Sequence, residues 1–186
     1  MTQENRTNQA HPVSSDLNVP VSESDHRIGS TTAAVTLVEY GDFGCRFCAE
    51  ADQVVKALRT RFGASLCFVF RHNPRGELHP DARLTAEASE AAGLQGKFWE
   101  MHDTLYAHPH ALKEADVLGY ATALGLDLQK FRADLYSGAV AKRVRDDEVG
   151  GAHSCIVSTP TFFINGRRFH GSPEFEGLAS AISAAS

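Results

Sequence analysis

The chain has 186 residues, of which 42% are hydrophobic and 22% are charged, and this composition is typical of one soluble globular domain. Its net charge of -5 at pH 7 supplies no basic surface for nucleic acid, which excludes DNA and RNA as expected partners. No apolar run approaches the roughly 18 residues of a membrane-spanning helix, and the N-terminus lacks the apolar core of a secretion signal. We therefore expect a cytoplasmic protein without membrane contact, although a processed start would reopen a periplasmic location.

Residues 1–24 differ from the rest of the chain in composition. They are rich in Gln, Asn, Ser, Thr and acidic residues, include Pro12 and Pro20, and offer little apolar area to bury. We predict a disordered N-terminal tail over residues 1–24 and one domain over residues 25–186, which we expect to be a monomer.

The domain begins with a strand, a turn and a pair of cysteines. Residues 34–40 have the apolar, β-branched composition of a strand, and residues 41–44 that of a turn. Cys45 and Cys48 follow at the start of a helix whose apolar positions recur with a 3.6-residue period as far as Phe62. The free N–H groups at a helix start favour thiolate over thiol. This context indicates a redox pair rather than half of a zinc site.

The later elements follow from the same patterns: a strand at 66–70, helices throughout 80–149 with the last at 139–148, strands at 161–164 and 167–170, and a helix from about residue 174. Asn165-Gly166 is the strongest short signal for a hairpin turn between the last two strands. The order predicts an α/β fold with a helical insertion at about residues 80–149.

Several blocks in this order resemble the DsbA-like branch of the thioredoxin superfamily. They are DHRIG at 25–29, VTLVEYGDF at 35–43 leading into the cysteine pair, FRH at 70–72, HPDA at 79–82, QGKFWEMH at 95–102 and TPTFFING at 159–166. The blocks reach from about residue 20 to the C-terminus. The resemblance implies a thioredoxin-like fold with an inserted helical subdomain, and the activity of a thiol–disulfide oxidoreductase that needs no cofactor.

The resemblance also implies roles for individual residues. Cys45, at the helix tip, is expected to attack disulfides, and Cys48 to resolve the mixed disulfide. Pro160 is cis in the family, which would hold the Thr159 backbone beside the disulfide, where it can pair with an extended substrate. The expected partners are protein or small-thiol disulfides and an unidentified redox partner. Oxidation, reduction and isomerisation all stay open.

Three further residues have two possible interpretations each. Arg46 replaces a proline common in relatives, and its guanidinium either stabilises the Cys45 thiolate or is a solvated surface group. Phe47 either contacts substrate or begins the apolar stripe of the helix, and its spacing favours the stripe. Glu39 either carries the proton that Cys48 must lose or forms a surface salt bridge, and the salt bridge is the simpler reading.

An alternative function uses the same thiols in a different way. Cys45, Cys48, Cys155 and His153 could form a zinc-binding or redox-sensing module with a Cys₃His ligand set. The chain has no second CxxC pair, which favours the redox reading and a prediction of no metal. A glutathione-linked isomerase is a third possibility, but that branch usually lacks the second active-site cysteine. Cys67 lies in an apolar strand and is expected to be a small buried residue.

Overall fold

The computed structural model describes residues 16–186, so most of the predicted tail lies outside the described residues. Residues 16–24 are held against the body by hydrogen bonds. The Leu17 N–H donates to the Gly166 carbonyl at 2.7 Å, and the Arg71 guanidinium donates to the carbonyls of Val19 and Pro20. This part of the predicted tail is therefore in contact with the domain. In this segment the bonded groups belong to the backbone, which composition does not reveal, and Leu17 and Val21 also pack against buried side chains of the sheet.

Within residues 16–186, five strands form one mixed sheet in the order β1-β3-β2-β4-β5. They are β1 His26–Ile28, β2 Val35–Gly41, β3 Leu66–His72, β4 Thr161–Ile164 and β5 Arg167–Arg168. Strands β2 and β3 are parallel, and the other pairs are antiparallel. The short edge strand β1 was not predicted. Asn165 and Gly166 both have positive φ in the turn between β4 and β5, as the hairpin prediction requires.

Seven α-helices complete the described part of the chain, together with a 3₁₀ turn at Gly63–Ser65 after the first. They are α1 Arg46–Phe62, α2 Ala82–Gly93, α3 Phe98–Ala107, α4 Glu114–Ala123, α5 Leu128–Leu135, α6 Gly138–His153 and α7 Phe175–Ala185. Helices α2 to α6 lie between β3 and β4 in the chain, which confirms the predicted α/β fold with a helical insertion. No helix within residues 16–186 is both long and apolar enough to span a membrane.

Helix α6 is longer than predicted, because it continues through Gly150 and Gly151 to His153. A Cβ atom built on Gly151 would lie 3.3 Å from the ring of Tyr40, and one on Gly150 would lie 3.2 Å from the Tyr40 hydroxyl. The two glycines therefore let the helix approach the tyrosine closely. In the sequence they resemble a helix stop, because glycine is costly inside a helix unless packing requires it.

The sheet separates two groups of buried side chains. Successive residues of a strand face opposite sides, so Val35 and Leu37 of β2 belong to the larger group, which includes residues of α1 and α7. Val38 and Tyr40 belong to the smaller group on the other side. By the same alternation Glu39 faces the side on which α1 packs, and this places its carboxyl group beneath the cysteine pair.

Candidate active site

Cys45 is the N-cap residue of α1, and its backbone is extended, with φ -87 and ψ 116. Its N–H donates to the Asp42 carbonyl at 3.0 Å, and its own carbonyl accepts from the N–H groups of Cys48 and Ala49. Cys45 is 6% exposed and Cys48 is fully buried. The helix start therefore leaves one thiol at the rim and places the other a turn deeper, as the sequence predicted. The rim thiol is more covered than expected.

The Cys45 thiol is strongly acidic in this position. Its pKa is lowered from 9.0 to about 5, first by a hydrogen bond from the Cys48 thiol, and burial opposes the shift. The backbone N–H groups of Cys48 and Phe47 and the side chain of Thr159 also stabilise the thiolate. Arg46 is not among these principal causes. The N–H groups at the helix start contribute as predicted, but the inner thiol contributes more.

Cys48 and Glu39 lie together below Cys45 in a region closed to solvent. Burial raises the pKa of Cys48 well above its usual range, and hydrogen bonding to Cys45 and the charge of Glu39 raise it further. Glu39 is 1% exposed, and its Oε1 has no hydrogen-bond partner within residues 16–186. Burial also raises its pKa well above the usual range, with Asp52 and Cys45 adding to the effect. The carboxyl group is therefore not part of a surface salt bridge.

The loop before β4 also contacts the Cys45 thiol. The Thr159–Pro160 peptide bond is cis, and Cys45 Sγ lies 3.4 Å from the Thr159 carbonyl oxygen. A protonated thiol donates to this carbonyl, whereas the thiolate is stabilised by the Thr159 side chain. The structure therefore brings Thr159 and Pro160 to the cysteine pair across more than 100 residues of chain.

Arg46 and Phe47 lie on the outer surface between the two cysteines. The Arg46 guanidinium is 4.6 Å from the centre of the Phe47 ring, at the distance of a cation–π contact. Phe47 is 53% exposed, so the interpretation of Phe47 as part of the buried stripe is wrong. Cys48 in the same turn is fully buried, so this turn presents Phe47 to solvent although its spacing matches the buried positions.

A groove of about 290 Å³ begins at Phe47 and runs between α1 and the segment before α7. It is lined by Phe47, Glu50, Ala51, Val54, Ser172, Pro173 and Glu174. Val157, two residues before Thr159, is 76% exposed. Apolar surface is therefore exposed next to Cys45 in the chain and in the loop that contacts its thiol.

The family model described as Thioredoxin matches residues 21–184, which include every element of this site. The chain belongs to the thioredoxin family. Among solved structures, a thioredoxin-like oxidoreductase from Silicibacter pomeroyi DSS-3 superimposes with a TM-score of 0.79 at 25% identity, over 88% of this chain and 93% of that chain. Oxidised BdbD from Bacillus subtilis superimposes with a TM-score of 0.76 at 21% identity, over 86% and 91%, a likeness that shows the fold alone. The predicted DsbA-like architecture is thereby confirmed.

Curated relatives of this thioredoxin-family chain are named as ion transporters. The chain is 49% identical over 171 residues to "Na(+)/H(+) antiporter NhaA 1" of Salinispora arenicola, over 91% of this chain and 26% of the relative. It is 43% identical over 162 residues to "Na(+)/H(+) antiporter NhaA" of Herminiimonas arsenicoxydans, over 87% and 26%. The chain spans about a quarter of the length of these curated relatives.

The alternative zinc site of this thioredoxin-family chain is not assembled. All four cysteines are free thiols. Within residues 16–186, the one group of three or more potential ligands whose atoms lie within 4.8 Å of one another is Asp52, His102 and Asp103. Cys45, Cys48, His153 and Cys155 therefore do not converge. Cys67 is 3% exposed and packs in the smaller core group, as predicted.

Sequence analysis missed two polar residues near the thiols. Tyr106 on α3 is buried, and its hydroxyl has no partner among the residues that the structure describes. Burial raises its pKa well above the usual range, with Cys48 and Glu39 adding to the effect. A Cβ on Gly41 would lie 2.8 Å from this hydroxyl, so the glycine admits it. Asp42 is also buried, in the turn before Cys45. Its position in that turn was a usable signal, since Asp often caps turns with its side chain.

Proposed function

We propose that the chain is a thiol–disulfide oxidoreductase in which Cys45 exchanges with substrate and Cys48 resolves the mixed disulfide. The observation that carries this proposal is the asymmetry of the pair. Cys45 is the rim thiol with a pKa of about 5, and Cys48 is enclosed with a pKa raised well above its usual range. One thiol is thus ionised at neutral pH and keeps a small exposed surface at the rim, while the other is fully buried and held protonated until it is needed.

In the reducing direction the Cys45 thiolate attacks one sulfur of a substrate disulfide, and the other substrate sulfur leaves as a thiolate. Cys48 then loses its proton and attacks Cys45 Sγ, which releases the second substrate thiolate and forms the Cys45–Cys48 disulfide. The substrate gains two electrons and the dithiol loses them, and the two leaving thiolates take up protons. Oxidation of a substrate dithiol is the reverse sequence.

Glu39 is the proposed acceptor of the Cys48 proton. Its carboxyl faces the same side of β2 as α1, is closed to solvent and interacts electrostatically with the inner thiol. A buried carboxyl group whose pKa is raised well above its usual range binds a proton more readily than an exposed one, which suits it to accept the Cys48 proton.

Proposed substrates are peptides that carry a disulfide or a thiol in an extended segment. The Thr159 backbone beside Cys45 offers polar groups to such a segment, and the groove that begins at Phe47 offers apolar area to its side chains. Small thiols need neither surface, so protein substrates are the preferred proposal. The redox partner and the preferred direction of exchange stay predictions, as do the cytoplasmic location and the monomeric state.

The likeness to the antiporters supports a second, narrower proposal about a partner. About a quarter of each of these relatives matches this chain, so we propose that this redox domain acts beside an ion transporter. A Cys48→Ser variant that traps mixed disulfides in cells would capture such a transporter. Capture of other proteins in its place would argue against this partner without affecting the thiol chemistry.

The test of the main proposal compares Cys45→Ser, Cys48→Ser and Cys155→Ser in insulin reduction with dithiothreitol. We expect Cys45→Ser to be inactive, and Cys48→Ser to accumulate a mixed disulfide through Cys45. The matched control Cys155→Ser removes a thiol outside the site and should retain wild-type activity. Full activity in Cys45→Ser would refute the assignment. Equal losses in Cys45→Ser and Cys155→Ser, with stoichiometric zinc in the reduced protein, would support the metal alternative.

A further inference from the structure

Asp42 lies three residues before Cys45 and has a fully buried side chain. Its Oδ1 accepts from the Gly44 N–H at 2.8 Å, and its Oδ2 accepts from the Arg75 N–H at 2.9 Å. The His79 ring is also bound to Oδ2, with Nδ1 at 2.8 Å. Because the Asp42 carbonyl accepts from Cys45 as well, this one residue links the turn of the nucleophile to the segment after β3.

The segment of residues 73–79 continues from Asp42 to the loop on the far side of Cys45. The Arg75 Nη1 donates to the Val157 carbonyl at 2.5 Å, and its Nε donates to Glu77 at 2.6 Å. Val157 precedes Thr159 by two residues, and Thr159 contacts the Cys45 thiol. Residues 73–79, which we call the bridging segment, therefore connect the two loops that enclose the rim thiol.

Close packing leaves little freedom in this connection. A Cβ atom on Gly44 would lie 2.6 Å from Cβ of His79, so the turn before Cys45 rests directly on the bridging segment. A shift of the segment would move this turn, and through Arg75 it would move the Val157 carbonyl as well. The loop before β4 stabilises the Cys45 thiolate through Thr159, and the first turn of α1, which directly follows the Asp42 turn, stabilises it through Phe47 and Cys48. Hydrogen bonds to a thiolate depend on donor position.

We propose that Asp42 is a positioning residue, which acts through the bridging segment to fix Cys45 and Thr159 relative to each other. The proposal rests on the proposed function, because it assigns Asp42 a role in thiol–disulfide exchange. Asp42 does not touch the substrate in this scheme. It fixes the positions of Cys45 and of the loop that contains Thr159, and the rate of exchange depends steeply on their relative position.

The variant Asp42→Asn separates a positioning role from a simple charge effect, because the two predict opposite signs. The amide keeps an oxygen for Gly44 but loses an acceptor for Arg75 N–H and His79. Removal of a negative charge alone lowers the pKa of Cys45, since the nearby anion disfavours the thiolate. Displacement of the groups that stabilise the thiolate instead raises the pKa of Cys45, and we expect a rise of about one unit. The pH dependence of iodoacetamide alkylation at Cys45, read by mass spectrometry, gives the sign.

Exchange activity provides the second readout. We expect Asp42→Asn to reduce insulin about tenfold more slowly than wild type at neutral pH. Arg75→Met, at a partly exposed side chain, removes the bonds to both Val157 and Glu77, and it should slow insulin reduction severalfold and raise the pKa of Cys45. The matched control Glu77→Gln removes the negative charge from the Glu77 contact but leaves the bond from Arg75 to Val157, and it should change neither quantity. If only the loss of a nearby negative charge mattered, Glu77→Gln would lower the pKa of Cys45.

Each outcome decides the proposal. A raised pKa with slow insulin reduction in Asp42→Asn supports it, and any other combination of the two readouts overturns it. If Asp42→Asn does not fold by circular dichroism, Arg75→Met against Glu77→Gln decides, and equal behaviour of the two overturns the proposal. Failure of wild-type protein to reduce insulin would refute the proposed function instead, and the sign of the pKa change would still test the positioning.

Discussion

The hydrogen bond between the two active-site thiols leads to a sharp prediction about Cys48. It is the largest cause of the lowered pKa of Cys45. Cys48→Ala removes the donor, whereas Cys48→Ser replaces the thiol with a hydroxyl that can still donate. Neither variant can form the internal disulfide, so the pair differs only in the hydrogen bond and in a small buried volume.

The size of the effect follows from the strength of hydrogen bonds to charged groups, about 1.5–3 kcal/mol. One pKa unit corresponds to roughly 1.4 kcal/mol, so the loss of this bond should raise the pKa of Cys45 by about 1–2 units. From its value of about 5 in the intact site, the pKa should rise to roughly 6–7 in Cys48→Ala and stay near its starting value in Cys48→Ser. At pH 6 the thiolate fraction would fall from about nine tenths to between about one tenth and one half.

The assay is thiolate absorbance at 240 nm between pH 3 and pH 9, in a Cys155→Ser background. Cys67 does not interfere in the lower part of this range, because burial raises its pKa. The alkylation rate of Cys45 gives an independent titration. Equal pKa values in Cys48→Ala and Cys48→Ser would refute the role of the inner thiol. A value near 8.5 in wild type would refute the acidic thiol itself, since that is the pKa of an ordinary cysteine.

Three further predictions concern stability and the first turn of α1. Folding lowers the pKa of Cys45, so its thiolate stabilises the reduced protein most above the unfolded pKa of 9.0, and this stabilisation is lost as pH falls through about 5. The melting temperature should therefore fall more between pH 7 and pH 4.5 for reduced wild type than for Cys45→Ser. Equal falls in melting temperature would contradict this. Arg46→Ala should change the pKa of Cys45 by less than about half a unit, because the guanidinium stacks on the Phe47 ring instead of pairing with the thiolate. A rise of about one unit in the same alkylation assay would show that Arg46 stabilises the thiolate. Asp25→Ala should lower the free energy of unfolding in urea by about 3–5 kcal/mol, because the Arg71 guanidinium, 3% exposed, then lacks its buried carboxylate. A loss below about 1 kcal/mol would mean that the other acceptors of Arg71 are enough to stabilise its buried charge.

The parts of the fold that the sequence predicted are those specified by local patterns. The strand before the cysteine pair, helix α1 and the hairpin at Asn165-Gly166 each depend on residues close in the chain. Strand β1 has only three half-buried residues, so it shows no alternation long enough to detect. The two glycines in α6 could not be interpreted without knowing that the Tyr40 ring packs against them.

The same distinction separates the predictable and unpredictable parts of the site. Cys45 and Cys48 are separated by one helical turn, and the alternation of β2 is enough to direct Glu39 toward them, so their relation is a local property of the sequence. The contact of Asp42 with Arg75 spans 33 residues, and that of Arg75 with Val157 spans 82. Neither contact leaves a periodic or compositional signal.

The energetic requirements of the two thiols explain why the site needs both local and distant groups. A helix start alone provides N–H groups to Cys45, but the inner thiol must also stay protonated so that it can donate to Cys45, and this depends on burial by distant parts of the chain. Each thiol therefore sets the protonation of the other: the protonated Cys48 stabilises the Cys45 thiolate, and the negative charge of that thiolate opposes ionisation of Cys48. When Cys45 enters a mixed disulfide it loses its charge, and this source of the raised pKa of Cys48 disappears. The resolving thiol thus becomes easier to ionise at the step that requires its attack, with Glu39 placed to take its proton.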